Sequence, residues 1–412
     1  MNRPPTPVPG LIAELEAALV QRAADGLLRE RRTLDSAQGA HVIVDGRAVL
    51  AFASNDYLGL AQHPAVVDAM RAALATWGAG AGASHLVAGH LAPHAALERE
   101  LAAFVLPGDS ARALTFSAGY LANLAILTAL AGRADAIFAD RLNHACLNDG
   151  ALLSRAHFVR YPHRDVTALG ALLERSRARR KLIATDAVFS MDGTMAPLPE
   201  LFALAERHDA MLVVDDAHGF GVLGGGRGTA AHFGLASDRL IIMGTLGKAA
   251  GVAGAFVAAH RAVIETLLQT ARSYVYTTAS PPVLAAGLLA SVQVIRAAHD
   301  RRAHLATLIA RLRDGARDLP WRLMPSSTPI QPLVIGDHRE AVAVADALWA
   351  RGIWAPAIRP PTVPKGTSRL RISLSAAHSI DDVDCLLRAL HECANAHRAP
   401  SPVAAASLVH AR

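Results

Sequence analysis

Short apolar runs lie at residues 113–116, 136–139, 157–160, 182–189, 211–215 and 240–244, and helix-period segments or loops separate them. Strand-sized runs alternating with helical periodicity predict βαβ units, a mainly parallel sheet and helices over both of its faces. Upstream, Leu11, Ile12, Leu15, Leu19 and Leu27 predict an amphipathic helix over 11–32, after an extended, Pro-rich 1–10. Residues 41–52 predict two short strands about the turn Asp45-Gly46-Arg47, and further helices are expected at 64–76 and 93–104. A long helix is expected to start near Pro282. Beyond Leu319, strands at 330–335, 353–358 and 370–374 with helices at 339–351 and 380–396 predict a smaller unit of mixed character. The expected division is 1–52 (helix and short strands), 53–285 (large α/β domain), 286–398 (small α+β domain) and 399–412, an Ala/Ser-rich disordered tail.

Composition narrows the function classes. With 52% hydrophobic and 18% charged residues, the chain is globular and not disordered. The net charge of +6 is scattered, and aromatics are only 5% without a basic stripe beside them, so no nucleic-acid partner is expected. Cys146, Cys385 and Cys393 are widely spaced and odd in number, which fits a reducing, cytoplasmic setting and no metal motif. The start Met1-Asn2-Arg3-Pro4-Pro5 lacks an apolar signal core, and the apolar run 283–295 is too short to span a bilayer, so no membrane association is expected.

The candidate chemistry gathers where strands end, which is where open α/β sheets bind ligands. Met243-Gly244-Thr245-Leu246-Gly247-Lys248-Ala249-Ala250-Gly251 sets one lysine among small residues just after a strand. Crowded lysines shift pKa readily and serve as Schiff-base nucleophiles. Asp215-Asp216-Ala217-His218 closes another strand, and a carboxylate there can partner a ring nitrogen. Ser117-Ala118-Gly119-Tyr120 opens a helix whose first N–H groups offer an anion seat. His144, after Asp140-Arg141-Leu142-Asn143, could stack on a planar group, and Ser190 in Phe189-Ser190-Met191-Asp192-Gly193 could donate into the same cleft. The Gly/Ala run from Gly78 to Ser84 would let backbone approach a ligand closely. Three patterns fail on context. Gly219-Phe220-Gly221-Val222-Leu223-Gly224 is not followed by a helix. The P-loop-like Gly247-Lys248 has Ile242 where glycine is required. His90 and His94 have Pro93 between them, which argues against a metal-bearing helical face.

Taken together, Ser54-Asn55-Asp56-Tyr57-Leu58-Gly59, the Ser190 and Asp215–His218 motifs, Lys248 and Ile358-Arg359-Pro360-Pro361-Thr362-Val363-Pro364 resemble the α-oxoamine synthase family. The likeness runs from about Leu11 to His397. It implies a PLP-dependent transferase fold of type I, aspartate-aminotransferase-like, with pyridoxal 5'-phosphate on Lys248. By the same resemblance, Asp215 partners the ring nitrogen, His218 the ring hydroxyl, and His144 stacks on the ring and meets substrate. Gly119, Tyr120, Ser190 and Thr245 are implied cofactor contacts, and Thr277 and Thr278 are implied to reach the phosphate of a neighbouring subunit in a homodimer. Asn55 and Arg371 are implied to hold the amino-acid carboxylate, with Arg29 and Thr362 near substrate; the run Arg29-Glu30-Arg31-Arg32 allows other registers for the arginine. The Arg-Pro-Pro-Thr stretch points to the branch that condenses L-alanine with a pimeloyl thioester. A glycine or serine acyltransferase of the family is the alternative. A non-catalytic partner subunit would be expected to have lost the lysine.

Overall fold

The computed structural model describes residues 9–398; the first eight residues and the tail at 399–412 lie outside them. An N-terminal hairpin pairs β1 (His41–Val44) with β2 (Arg47–Ala51) across Asp45 and Gly46, both at positive φ. The large domain supplies β3 (Ala111–Phe116), β4 (Ala136–Asp140), β5 (His157–Tyr161), β6 (Lys181–Asp186), β7 (Ala210–Asp215), β8 (Leu240–Thr245) and β9 (Ala255–His260). They form one sheet in the order β3-β9-β8-β7-β6-β4-β5, parallel throughout except for β9. The smaller domain contributes β10 (Arg322–Leu323), β11 (Ile330–Gly336), β12 (Ile353–Trp354), β13 (Ala357–Ile358) and β14 (Ser368–Ser373). Strand β12 joins the N-terminal hairpin in parallel beside β2, so the hairpin and the smaller domain share a sheet.

Alternation along the central strands decides which side chains meet which core. Ile183, Leu212, Val214, Leu240 and Ile242 enter the core that continues into the small domain. Leu182, Ala184, Val213, Ile241 and Met243 enter the core on the opposite face. That second core is covered by α4 (Gly119–Leu130) and α5 (Ala145–Ser154), which follow α1 (Gly10–Ala24), α2 (Pro64–Trp77) and α3 (Ala92–Val105) in the chain. A strand buried on both faces reads as a continuous apolar run, which is why these strands are legible.

Several elements differ from expectation. Helix α1 stops at Ala24, not Arg32. Gly26 takes φ +66, with its N–H on Ala23 O and that of Leu27 on Arg22 O, so a Schellman cap overrides the apolar period at Leu27. The expected strand at 182–189 ends at Asp186, and the one at 353–358 is split into β12 and β13. The antiparallel β9 was not expected: Ala-Phe-Val-Ala-Ala-His has little β-branched character, and its pairing with β3 and β8 supplies what propensity does not. Residues His299–Gly315 form a second long helix after Pro282–Ala297, bent from it by 68°. Among the described residues, no single helix is long and apolar enough to cross a membrane.

Candidate active site

The period of two that sorts the cores also aims the site. Asp186, Asp215 and Thr245 each stand two residues beyond a residue of the α4/α5-side core, so their side chains emerge on that face at the carboxyl edge. With Gly119 and Tyr120 at the start of α4, and His144 as N-cap of α5, they enclose a cavity of about 230 Å³. Cys146, Ser190, Ala217, His218, Met243 and Lys248 complete its lining.

Lys248 reaches the cavity because β8 and β9 are a hairpin and 246–254 is its tip. Leu246 N–H bonds Gly254 O at 2.8 Å, and Gly251 N–H bonds Lys248 O at 2.8 Å. Gly251 has φ +72, and a Cβ there would fall 2.5 Å from Ala61 N, so only glycine fits. Lys248 Nζ lies 2.9 Å from His218 Nε2, whose Nδ1 is 2.7 Å from the Tyr57 hydroxyl. Tyr57 also meets Asn55 Oδ1 at 3.0 Å, and Asn55 Oδ1 accepts from Arg371 Nη1 at 3.1 Å. One proton pattern satisfies the whole chain: Tyr57 donates to Asn55, His218 Nδ1–H donates to Tyr57, and His218 Nε2 accepts from Lys248. Burial, then the nearby Lys248 and Arg371 charges, push His218 well below its ordinary value and keep it neutral, as that pattern requires. Burial likewise lowers Lys248, against the pull of Asp215.

A second network crosses the cavity floor. Asn123 of α4 donates to Asp215 Oδ2 at 2.7 Å and to Cys146 Sγ at 3.0 Å, while Ala217 N–H bonds Asp215 Oδ1 at 3.0 Å. His144 Nδ1 faces Cys146 Sγ at 2.8 Å and Cys146 N at 3.3 Å. Both are donors, so neutral His144 carries its proton on Nε2. Asp186 pairs in register with Asp215 on the adjacent strand and accepts His144 N–H at 3.2 Å. Burial first, and the Asp215 carboxylate second, raise Asp186 well above the usual carboxylate range. Burial pushes the Cys146 thiol up to about 12, which makes it an inert donor.

The remaining candidates divide. Arg371 holds the Ser190 turn by bonding Ser190 O at 2.7 Å, and Thr245 Oγ1 bonds Gly254 O at 3.2 Å beside the lysine. Tyr120 bonds the Asp149 carboxylate. Arg29 and Thr362 meet each other at 3.0 Å on the surface and do not line the Lys248 cavity. Arg31 and Arg32 turn instead into a larger groove of about 500 Å³ against the small domain, where Arg32 stacks on Trp349 at 3.9 Å. That groove holds none of the strand-end chemistry. Thr277 and Thr278 line a separate crevice with His85 and Tyr274, and Thr278 bridges to Ser84 in the Gly/Ala-rich loop. Tyr57, Asn123, Cys146 and Asp186 belong to the site and were not singled out from sequence.

The family model for aminotransferase class I and II matches residues 47–390. A curated relative, 8-amino-7-oxononanoate synthase of Aromatoleum aromaticum, is 60% identical over 382 residues, covering 92% of this chain and 98% of its own. Among solved structures, SPT with a PLP internal aldimine matches with a TM-score of 0.88 at 28% identity, over 94% of this chain and 99% of that one. 8-Amino-7-oxononanoate synthase from Francisella tularensis matches with a TM-score of 0.72 at 31% identity, over 85% of this chain and 98% of that one.

Proposed function

The chain belongs to the 8-amino-7-oxononanoate synthases within the aminotransferase class I and II family, and from that premise we propose its reaction and how its residues share it. The reaction is the decarboxylating condensation of L-alanine with a pimeloyl thioester, carried on CoA or a carrier protein, to 8-amino-7-oxononanoate, CO2 and free thiol, the biotin-pathway condensation. The observation that carries the reading is the Lys248–His218 contact of 2.9 Å in a cavity whose floor is the buried carboxylate Asp215.

Those residues fit pyridoxal 5'-phosphate by their chemistry. Asp215 is buried, and each of its oxygens keeps a lone pair beyond the bonds from Asn123 and Ala217. A helix start lies opposite at Gly119-Tyr120, His144 offers a ring face, and an amine stands at the cavity wall. Bound there, pyridoxal phosphate supplies an electron sink for charge developing at the amino acid's Cα. Lys248 Nζ is the attachment point and carries the Cα proton; its lowered pKa leaves more free amine near neutral pH. His218 orients that nitrogen; with the amine committed to the cofactor, its Nε2 lone pair would be free to accept from the ring hydroxyl. Asp215 holds the ring nitrogen, Ser190 and Thr245 flank it, and Gly119 and Tyr120 seat the phosphate or ring. Asn55 and Arg371 hold the substrate carboxylate, His144 covers ring and substrate, and Arg29 with Thr362 guides the acyl donor. Thr277 and Thr278, outside this cavity, serve the phosphate of a second subunit in a homodimer. The free Cys146, Cys385 and Cys393 support a cytoplasmic setting.

The higher TM-score of the SPT structure is no argument for serine as substrate. A TM-score compares backbones, whereas substrate choice rests on side chains, and there 60% identity to an oxononanoate synthase outweighs 28% to SPT. The test is the visible spectrum of the purified protein with pyridoxal phosphate, followed on adding L-alanine, glycine or L-serine, each with pimeloyl-CoA. A cofactor band that responds to alanine, with thiol and CO2 release, is expected. Turnover with glycine or serine alone would move the substrate, and no bound cofactor would end the reading.

A further inference from the structure

The structure removes the objection to His90 and His94. Helix α3 begins at Ala92 with Pro93 in its first turn, so His90 stands ahead of the helix and Pro93 breaks nothing. A π-helical turn over His85–Gly89 then delivers a third imidazole. One ring nitrogen from each of His85, His90 and His94 lies within 4.8 Å of the others. His85 Nδ1 and His90 Nδ1 are 3.0 Å apart, against the ~3.3 Å that tetrahedral bonds of ~2.0–2.1 Å impose on two zinc ligands. We propose that His85, His90 and His94 form a binding site for zinc or a similar borderline divalent ion, with the fourth position open to water.

The surroundings already resemble an outer coordination shell. His94 Nε2–H donates to Ser280 O at 2.8 Å, which makes Nδ1 the ring's acceptor nitrogen. His90 Nε2 faces Glu98 Oε2 at 3.8 Å, and Glu98 is itself fixed by the Thr115 N–H and hydroxyl, each 2.8 Å from its Oε1. A metal-bound histidine commonly hands its other N–H to a carboxylate or a backbone carbonyl; the carbonyl of Ser280 is in place for His94, and the Glu98 carboxylate stands 3.8 Å from His90, just beyond hydrogen-bond reach. His94 Nδ1 now accepts the Leu91 N–H at 3.0 Å, a part-buried bond that an ion at Nδ1 would displace. His90 is exposed and His85 partly so, which gives an ion a way in. None of the three lines the Lys248 cavity. His85 stacks on Tyr274 with centroids 5.1 Å apart, and Ser84 bridges to Thr278. An ion would therefore fasten the π-helical turn to α3 beside the Thr277–Thr278 segment.

The test uses the pyridoxal-phosphate-loaded protein, stripped with a chelator, desalted, then titrated with ZnCl2 by calorimetry and separately with CoCl2 by visible absorption. One equivalent of zinc per chain and a cobalt–imidazole d–d band are expected. His85→Gln and His90→Gln should each weaken zinc at least about tenfold, and Glu98→Gln by about 10- to 100-fold. Metal-free melting curves that match the parent's are expected and separate lost binding from lost folding. Zinc that washes out of the parent protein with no cobalt band, or binding that is unchanged in both histidine variants, would overturn the site.

Discussion

The Lys248 cavity and the Arg29–Thr362 pair are built on opposite plans. In the cavity, the polar chain from Arg371 through Asn55, Tyr57 and His218 to Lys248 is closed by hydrogen bonds, and Tyr57 at its centre is fully buried. The Arg29–Thr362 bond is exposed and joins two segments outside regular structure. Groups held by strand ends and by each other lose little freedom when a reaction needs them aligned. A solvated pair can give way to a long ligand at small cost. On the roles proposed above, reactivity is fixed at the sheet edge while acyl-donor recognition stays adjustable at the surface.

The largest test of that contrast is Lys248→Ala, expected to lower turnover by at least about ten-thousand-fold with an unchanged circular dichroism spectrum. Full activity in that variant would sink the division. Asp215→Asn should cost about 10²- to 10³-fold in kcat, since it removes a negative charge placed for the reaction and keeps the shape; kinetics beside a melting curve separate this from misfolding. A pH series divides the regions differently. His218 sits below its unfolded value, so the stability it confers is complete above about 6.5 and is lost as pH falls toward the folded value. Melting temperature against pH should thus fall less steeply on the acid side in His218→Gln, whereas Arg29→Ala should keep the parent curve's shape. The smallest effect is on rate: Arg29→Ala should raise the KM for the acyl thioester by about 3- to 10-fold with kcat nearly constant. A kcat loss as large as that of Asp215→Asn would place Arg29 in the reactive core.

What the sequence showed follows from how each residue is held. Asp215 ends a strand, and Lys248, His218 and His144 stand just beyond strands, whose apolar runs are unbroken, so the strand pattern located them. Asp186 was hidden because the run to Phe189 reads as one strand, and only the true end at Asp186 exposes a second carboxylate beside Asp215. Asn123 is a single amide in a helix that is otherwise almost wholly apolar, and nothing along the chain says that it faces Asp215. Tyr57 looked like part of a turn; its contact with His218 spans 161 residues, beyond the reach of any local pattern. The contacts of Arg29-Glu30-Arg31-Arg32 are likewise a tertiary matter: Arg29 bonds Thr362 and Arg32 stacks on Trp349, both more than 300 residues away along the chain.

The tip that carries Lys248 has no slack. Thr245 and Ala255 are paired at its base, Leu246 is tied to Gly254, and Gly251 presses on Leu60 and Ala61. One residue inserted or deleted between 246 and 254 could be absorbed only by breaking the ladder or by lifting Leu60 from the core. The lysine's distance from the strand, counted in residues, is therefore a fixed quantity of the fold. A library of single-residue insertions scored for activity should show this span as a blank.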